Sequence, residues 1–231
     1  MTETSSDGLP SGVVTFLLTD IESSARLWDD EPTAMGKAVL EHERLITRSV
    51  EDSRGVVLKH RGEGDSSFSV FRSASDAVRA AYALQLAIAE LRWPTSRPIR
   101  LRAAIHTAEA EPRDGDYFGG EVNRVARLRA AAAPGEVLVS AASSTLLRSA
   151  MPASLGLRDV GNLRLKGLAH DERVSALVGP GLPEPDRRSG GSDILEERGV
   201  TRRERDVFFA AAERLTNAEI AERFVLSERT V

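Results

Sequence analysis

The sequence lacks cysteine, long apolar runs and an excess of basic residues, and each absence excludes a class of protein. With no cysteine among its 231 residues, the chain can form no disulfide, thiolate metal site or cysteine nucleophile. No run approaches the roughly 18 apolar residues that a membrane-spanning helix requires. A formal net charge of −4 gives no general attraction to nucleic acid or acidic membranes. These absences favour a cytoplasmic protein without a membrane partner.

The N-terminal residues 1–12 are mainly polar and small, and they lack the apolar core of a signal peptide. We expect this segment to be disordered. The rest of the chain is ordinary for a soluble globular protein, with 41% hydrophobic and 29% charged residues. At this length the chain can bury a sizeable core and still carry a second small unit.

Alternating strand and helix patterns over residues 13–178 predict an α+β sandwich in which helices and hairpins cover a sheet. Predicted strands are 13–18, 55–58, 67–71, 99–106, 135–140, 156–160, 162–166 and 173–178. Predicted helices are 32–53, 75–91, 119–132 and a short one that ends at 147. The first strand, VVTFLL, is too apolar for a strand with one wet face, so we expect both of its faces to be covered.

Residues 179–199 are rich in proline, glycine and serine, which favours a linker. A small helical segment is predicted over residues 200–231.

Two aspartates lie near predicted buried strands, where they are candidates for a metal site. Asp20 ends the first strand, and Asp65 lies in a glycine-flanked turn between two later strands. Carboxylates at one end of adjacent strands suit Mg²⁺ or Mn²⁺ and two-metal phosphoryl chemistry. The alternative is structural, since aspartate is common at helix N-caps and in turns. The backbone amides of residues 21–24, at the start of the next helix, are candidate phosphate ligands.

Asn123 and Arg127 are four residues apart, so a helix presents them on one face. An amide and a guanidinium there can hold a substrate oxygen and a developing phosphoryl charge. Arg124 and Arg129 lie nearby, and a merely solvated basic face remains the alternative. His106 has no second histidine at ligand spacing and favours a structural role.

Several ordered motifs over residues 13–178 together resemble the class III adenylyl/guanylyl cyclase catalytic domain. They are TFLLTDIE at 15–22, GEGDS at 62–66, RAAIHT at 102–107, DYFGGEVNRVAR at 116–127 and LRLKG at 163–167. The resemblance implies a ferredoxin-like βαββαβ core with an added hairpin. It also implies a head-to-tail homodimer with the active site at the interface.

For this chain the resemblance implies conversion of ATP to 3′,5′-cyclic AMP and pyrophosphate, in intracellular signalling. Asp20 and Asp65 would hold two Mg²⁺ or Mn²⁺ ions per site. Asn123 and Arg127 would act from the partner chain, on the ribose and on the α-phosphate. Lys166 would contact the triphosphate, together with four residues at the end of the first strand. These four residues are Ile21, Glu22, Ser23 and Ser24.

The base-reading positions combine a match with a departure from the family. Asp116 matches the aspartate typical of adenine selectors, whereas Arg61 replaces the usual lysine, so GTP is a second possible substrate. Ser23 and Ala108 each replace a glycine that is usual in the family. The alternative is a degenerate cyclase that serves as a nucleotide-binding or dimerisation module of a LuxR-type regulator.

Residues 200–231 resemble the start of a LuxR-type helix-turn-helix. Ser227 is the candidate N-cap of the recognition helix, which stops after about one turn because the sequence ends at Val231. We therefore expect this chain not to bind DNA by itself.

Overall fold

The structure, a computed structural model, describes residues 8–61, 65–165, 168 and 170–185. Seven strands form one sheet in the order β2-β3-β1-β4-β5-β7-β6. The strands are β1 (Gly12–Ile21), β2 (Val56–Arg61), β3 (Ser66–Phe71), β4 (Leu101–Ala110), β5 (Val137–Ser140), β6 (Gly156–Leu163) and β7 (Glu172–Val178). The helices are α1 (Ser24–Asp30), α2 (Pro32–Asp52), α3 (Ala74–Glu90), α4 (Gly120–Ala130) and α5 (Ala141–Ala150).

The first four strands confirm the predicted ferredoxin-like core. β1 lies between β3 and β4 and runs antiparallel to both, and β2 pairs antiparallel with β3. Helix α2 connects β1 to β2, and α3 connects β3 to β4, which gives the order βαββαβ. β5 then extends the sheet parallel to β4, and the antiparallel pair β7 and β6 completes it.

Both faces of β1 are buried, as its unbroken apolar run predicted. Successive side chains of a strand point to opposite faces of the sheet. Leu17 and Ile21 join the core beneath α2 and α3, while Phe16 and Leu18 join a second core beneath α4. Because β1 is covered on both faces and paired along both edges, its C-terminal end is firmly placed.

Two features differ from the sequence-based expectation. The two short strands predicted at 156–160 and 162–166 form one strand, β6, with a bulge between Asp159 and Gly161. Gly161 has a φ of 98°, which glycine adopts without strain, so the chain crosses the bulge without ending the strand. β1 and β4 are also longer than predicted, since each has ten residues.

The segments that flank the core contact it. Leu9 is buried in the core beneath α4, so the ordered chain begins before residue 13. Tyr82 donates a hydrogen bond from its hydroxyl to the carbonyl of Pro180 at 2.8 Å. Leu182 packs against the core beneath α2 and α3. Residues 179–185 therefore lie along the domain. The rest of the predicted linker and the helix-turn-helix resemblance over 200–231 lie outside the described residues.

No helix in the described part of the chain is long and apolar enough to cross a membrane.

Candidate functional site

Asp20 lies at the C-terminal end of β1, directly across from Ser66 on one side and Arg102 on the other. Its carboxylate is almost fully buried and is paired with two arginines. Arg102 donates from Nε to Oδ1 at 3.0 Å and from Nη2 to Oδ2 at 2.5 Å. Arg129 of α4 places Nη1 at 3.3 Å from Oδ2. Asp20 is therefore the centre of a buried charge cluster, and the N-cap alternative does not apply, because Ser23 occupies the N-cap position of α1.

Asp65 lies beside Asp20, as the predicted hairpin required. The backbone amide of Ile21 donates to the carbonyl of Asp65 at 3.0 Å, which ties the start of β3 to the end of β1. Asp65 is half-buried, and the preceding residues 62–64 lie outside the described part of the chain. Two aspartates thus meet at one corner of the sheet, with one carboxylate enclosed by arginines and the other partly open to solvent.

Sequence reasoning did not single out Arg102 and Arg129. A signal for Arg102 was available, because a charged residue inside an apolar strand predicts a buried partner. Its side chain is only 5% exposed, against 7% for that of Asp20. Removing one member of a buried ion pair of this kind lowers the free energy of unfolding by roughly 3–5 kcal/mol, because the other charge is left uncompensated. Arg129 gave no such signal, since it belongs to a helix with several arginines.

The chain turns sharply between β1 and α1. The amide of Glu22 donates to the carbonyl of Arg100 at 2.9 Å. Ser23 has a φ of 51°, in the left-handed region that favours glycine. The family's usual glycine at this position therefore has a conformational reason, and Ser23 carries the backbone strain instead. Ser24 begins α1, so all four predicted phosphate-contacting residues lie in this turn.

Asn123 and Arg127 lie on α4, with Asn123 exposed and Arg127 partly buried. The core-facing positions of the helix are Val122, Val125 and Leu128. Residues two apart on a helix differ by about 200° around its axis, so Arg127 points away from the side on which Arg129 reaches Asp20. Within one chain, Arg127 is therefore not directed at Asp20.

Asp116 closes a tight turn with Arg113 through two backbone hydrogen bonds, of 2.8 and 3.1 Å. It is buried, and its Oδ1 accepts from the amide of Tyr117 at 2.8 Å. The ring of Tyr117 packs edge-on against Phe16, with the centroids 5.2 Å apart. The Tyr117 hydroxyl donates to the carbonyl of Pro10. The loop that carries Asp116 is thereby anchored in the core.

Tyr117→Phe is expected to lower the free energy of unfolding by about 1 kcal/mol at pH 7, because a buried hydrogen bond is lost. Burial raises the pKa of Tyr117 to about 12 from its ordinary value of 10. The folded state thus keeps a proton that the unfolded chain releases. This contribution to stability is complete below pH 10 and is lost as the pH rises towards 12. Urea unfolding of wild type and variant at pH 7, 10 and 11 measures the change.

Between pH 10 and pH 11 the free energy of unfolding of Tyr117→Phe should fall less than that of wild type. Tyr82→Phe is the matched control, since the chain has two tyrosines and Tyr82 makes an exposed hydrogen bond. Equal pH dependence in wild type and Tyr117→Phe would contradict this assignment.

His106, on β4, uses both of its ring nitrogens inside the protein. Nδ1 lies 2.8 Å from Oγ of Ser140, and Nε2 lies 2.7 Å from Oε2 of Glu121. Within the described ranges, no group of three histidine, aspartate or glutamate side chains is arranged to hold a metal ion.

Two predicted site residues have side chains that the structure does not describe. Arg61 ends β2 opposite Ser66, and only its backbone pairing is described. Lys166 lies outside the described residues.

Comparison with known proteins places this architecture in a family. The family model for the adenylate and guanylate cyclase catalytic domain matches residues 9–177. An uncharacterized protein of Mycobacterium tuberculosis strain H37Rv is 40% identical over 175 residues, which covers 76% of this chain and 59% of that protein. The chain thus spans about three fifths of the length of that relative.

A second relative and a solved structure extend the comparison. A receptor-type adenylate cyclase of Trypanosoma congolense is 34% identical over 197 residues, covering 67% of this chain and 26% of that protein. A structure from the analysis of Trypanosoma brucei adenylate cyclases in their monomeric state matches with a TM-score of 0.68 and 25% identity. That match covers 80% of this chain and 95% of the solved one.

Proposed function

Because the chain belongs to the adenylate and guanylate cyclase catalytic domain family, we propose that it converts ATP to 3′,5′-cyclic AMP and pyrophosphate at a site shared by two copies. The observation that carries the proposal is the meeting of Asp20 and Asp65 at the end of β1, beside two arginines that reach the same point. A triphosphate with divalent cations needs that combination of hard anionic oxygens and cationic donors.

The two aspartates fit Mg²⁺ or Mn²⁺. Mg²⁺ is usually held by one or two carboxylates, with substrate phosphates and waters completing its octahedron. Among the described residues no third carboxylate or histidine is arranged with them to hold a metal ion, so the two aspartates suit ions that arrive with a nucleotide. Bound there, the ions would lower the pKa of the ribose 3′-hydroxyl and neutralise phosphate charge.

Arg102 and Arg129 are proposed to exchange partners when nucleotide binds. In the structure both neutralise Asp20. Their guanidinium groups are planar donors that suit phosphate oxygens as well as carboxylate oxygens. If metal ions bind the Asp20 carboxylate in place of the two arginines, the guanidinium groups lie beside the triphosphate and can bind its oxygens. The amides of Ile21 and Glu22 already donate to the carbonyls of Asp65 and Arg100, so backbone contacts to phosphate are proposed for Ser23 and Ser24 at the start of α1. Lys166 would add a further cation.

The orientation of α4 supports a shared site. Arg127 faces away from the side on which Arg129 meets Asp20, so Asn123 and Arg127 are proposed to act on the site of a second molecule. In a two-fold dimer the contact is reciprocal, and each copy would supply the pair to the aspartates of the other. There Asn123 would orient the ribose, and Arg127 would stabilise the charge that develops on the α-phosphate.

The choice of base depends on Asp116 and Arg61. Asp116 is buried next to the anchored Tyr117, whose amide donates to its Oδ1. The Asp116 carboxylate is proposed to accept from an amino group such as that of adenine. Arg61 donates only, and it therefore favours base acceptors. ATP is the proposed substrate, and GTP is the competitor to test.

One observation favours a second function. The carboxylate of Asp20 is already fully engaged by a bidentate arginine and a second guanidinium. If these contacts persist when nucleotide is present, Asp20 holds no metal, and the domain serves only as a nucleotide-binding or dimerisation module. In that case its role in a LuxR-type regulator depends on residues 200–231, which the structure does not describe.

Chromatography of products distinguishes the two functions. The full chain is incubated with ATP or GTP, each with Mn²⁺ and with Mg²⁺. Cyclic AMP from ATP, and its loss in Asp65→Ala, is the expected result. Asp159→Ala is the matched control, because it removes an exposed aspartate whose partner Arg173 lies on β7, away from this corner. No cyclic nucleotide from a folded dimer would contradict the cyclase proposal and favour the binding module.

A further inference from the structure

Helix α4, which carries Asn123 and Arg127, begins without a side-chain cap. Its N-cap is Gly119, with a φ of 110° and no capping side chain. The acidic residue in the first turn, Glu121, is well placed for the helix dipole. Its carboxylate contacts Nε2 of His106 at 2.7 Å and Nε of Arg124 at 3.2 Å. The start of the helix is therefore held by a side chain that reaches it from β4.

His106 is the buried part of this anchor, with a side chain that is 5% exposed. A carboxylate oxygen can only accept, so Nε2 carries the proton and donates it to Glu121. Nδ1 then accepts from the hydroxyl of Ser140, 2.8 Å away. Ser140 also caps α5 by accepting from the amide of Ser143. The imidazole is thus clamped between the start of α5 and the start of α4.

Burial lowers the pKa of His106, against the opposing effect of Glu121, so the ring is neutral at pH 7. The same hydrogen bond lowers the pKa of Glu121 and keeps it ionised. The other charged groups near the ring are Arg124 and Glu172.

A second anchor joins the same turn of α4 to β7. Arg124 donates from Nη1 to Oε2 of Glu172 at 2.5 Å, and the Glu172 side chain is only 10% exposed. Two contacts from two different strands, through helix positions 121 and 124, therefore add to the core packing of Val122, Val125 and Leu128 in holding the N-terminal half of α4 against the sheet.

We propose that His106 is a positioning residue for the cyclase reaction, because its bond to Glu121 sets where Asn123 and Arg127 lie in the active site. This inference rests on the proposed function. Asn123 lies between the two anchored positions, and Arg127 lies one turn further along the same helix. A displacement of about 1 Å in a catalytic group can lower the rate about 10²-fold. Neither His106 nor Glu121 needs to touch the substrate.

His106→Leu is the first test, since it removes both hydrogen bonds of the ring. Because Asn123 and Arg127 are proposed to act mainly in the transition state, kcat should fall between about 10-fold and 100-fold, while KM for ATP changes by less than about 3-fold. His106→Gln keeps an amide that can donate to Glu121 and should recover most of the lost kcat.

Two further variants keep the test informative. Glu121→Ala breaks the same contact from a side chain that is 43% exposed, so it should fold even if His106→Leu does not, and kcat should fall as well. Arg173→Ala is the control. It alters the neighbour of Glu172 and breaks an exposed ion pair with Asp159, and kcat should not change.

A readout that does not depend on activity is the side-chain amide of Asn123. The chain has three asparagines, at 123, 162 and 217, so selective ¹⁵N-asparagine labelling gives three side-chain signals. Asn123→Ala identifies the relevant one. His106→Leu and Glu121→Ala should shift it. Arg173→Ala should shift the signal of Asn162 instead, because these residues pair across β6 and β7.

An unchanged Asn123 signal in folded His106→Leu and Glu121→Ala would overturn the inference, as would a raised KM with an unchanged kcat. If the wild-type chain forms no cyclic nucleotide, the proposed function fails, and so does the catalytic part of this inference. The Asn123 signal still shows separately whether His106 positions α4.

Discussion

Asp65→Ala is expected to lower cyclic nucleotide formation more than about 100-fold. Removing a residue that only supports a metal ligand lowers activity by up to about 100-fold, and removing the ligand itself should lower it further. The reason is that Asp65 is proposed to hold the metal ions directly, and alanine leaves only one of the two proposed metal ligands, Asp20. Product formation with saturating ATP and Mn²⁺ measures the loss. Nearly unchanged turnover would remove Asp65 from the metal role.

The structure makes Asp65 a better target than Asp20 for this test. The Asp20 carboxylate neutralises Arg102, whose side chain is only 5% exposed, so Asp20→Ala would leave a buried charge uncompensated. That loss of stability would be mixed with the loss of catalysis. Asp65 is half-buried, and truncating its side chain leaves its backbone bond to Ile21 in place. Thermal unfolding of Asp65→Ala should therefore stay close to that of wild type.

Mixing inactive Asp65→Ala protein with inactive Arg127→Ala protein is expected to restore about a quarter of wild-type activity. If subunits exchange freely, half of the dimers contain one copy of each variant, and one of the two sites in such a dimer is intact. The physical basis is the geometry of α4, which directs Arg127 away from the side on which Arg129 meets Asp20 of the same chain.

The control for this experiment is each variant incubated alone at the same total concentration, where no recovery is expected. Subunit exchange is verified with two differently tagged chains. If heterodimers form but activity does not return, Arg127 does not act across the interface, and the site is not shared in the proposed way.

Much of the fold was predictable because periodicity and turn residues act locally. VVTFLL at the start of β1 required cover on both faces, and the structure provides it with α2 and α3 on one side and α4 on the other. The length of β6 was not predictable in the same way. Two strands were predicted at 156–160 and 162–166, but Gly161 between them lies at a bulge, and β7 pairs with the chain on both sides of it.

In the candidate site, too, some features were predictable from the local sequence and others were not. The positions of Asp20 at the end of a strand and of Asp65 in the turn between two strands were visible in the sequence, and the structure places the two residues side by side. Their actual surroundings were not visible, because Arg102 is 82 residues away from Asp20 and meets it only through the register of β1 with β4. The roles of Asn123, Arg127 and Asp116 remain proposals.

The sequence by itself determined the order of strands and helices, the family and the residue types available for nucleotide chemistry, since these depend on local pattern and short motifs. Tertiary structure alone decided that Asp20 is neutralised by Arg102 and Arg129, and that His106 and Glu172 hold the first turn of α4. Such contacts join residues distant in the chain, and only strand register and helix packing bring them within bonding distance.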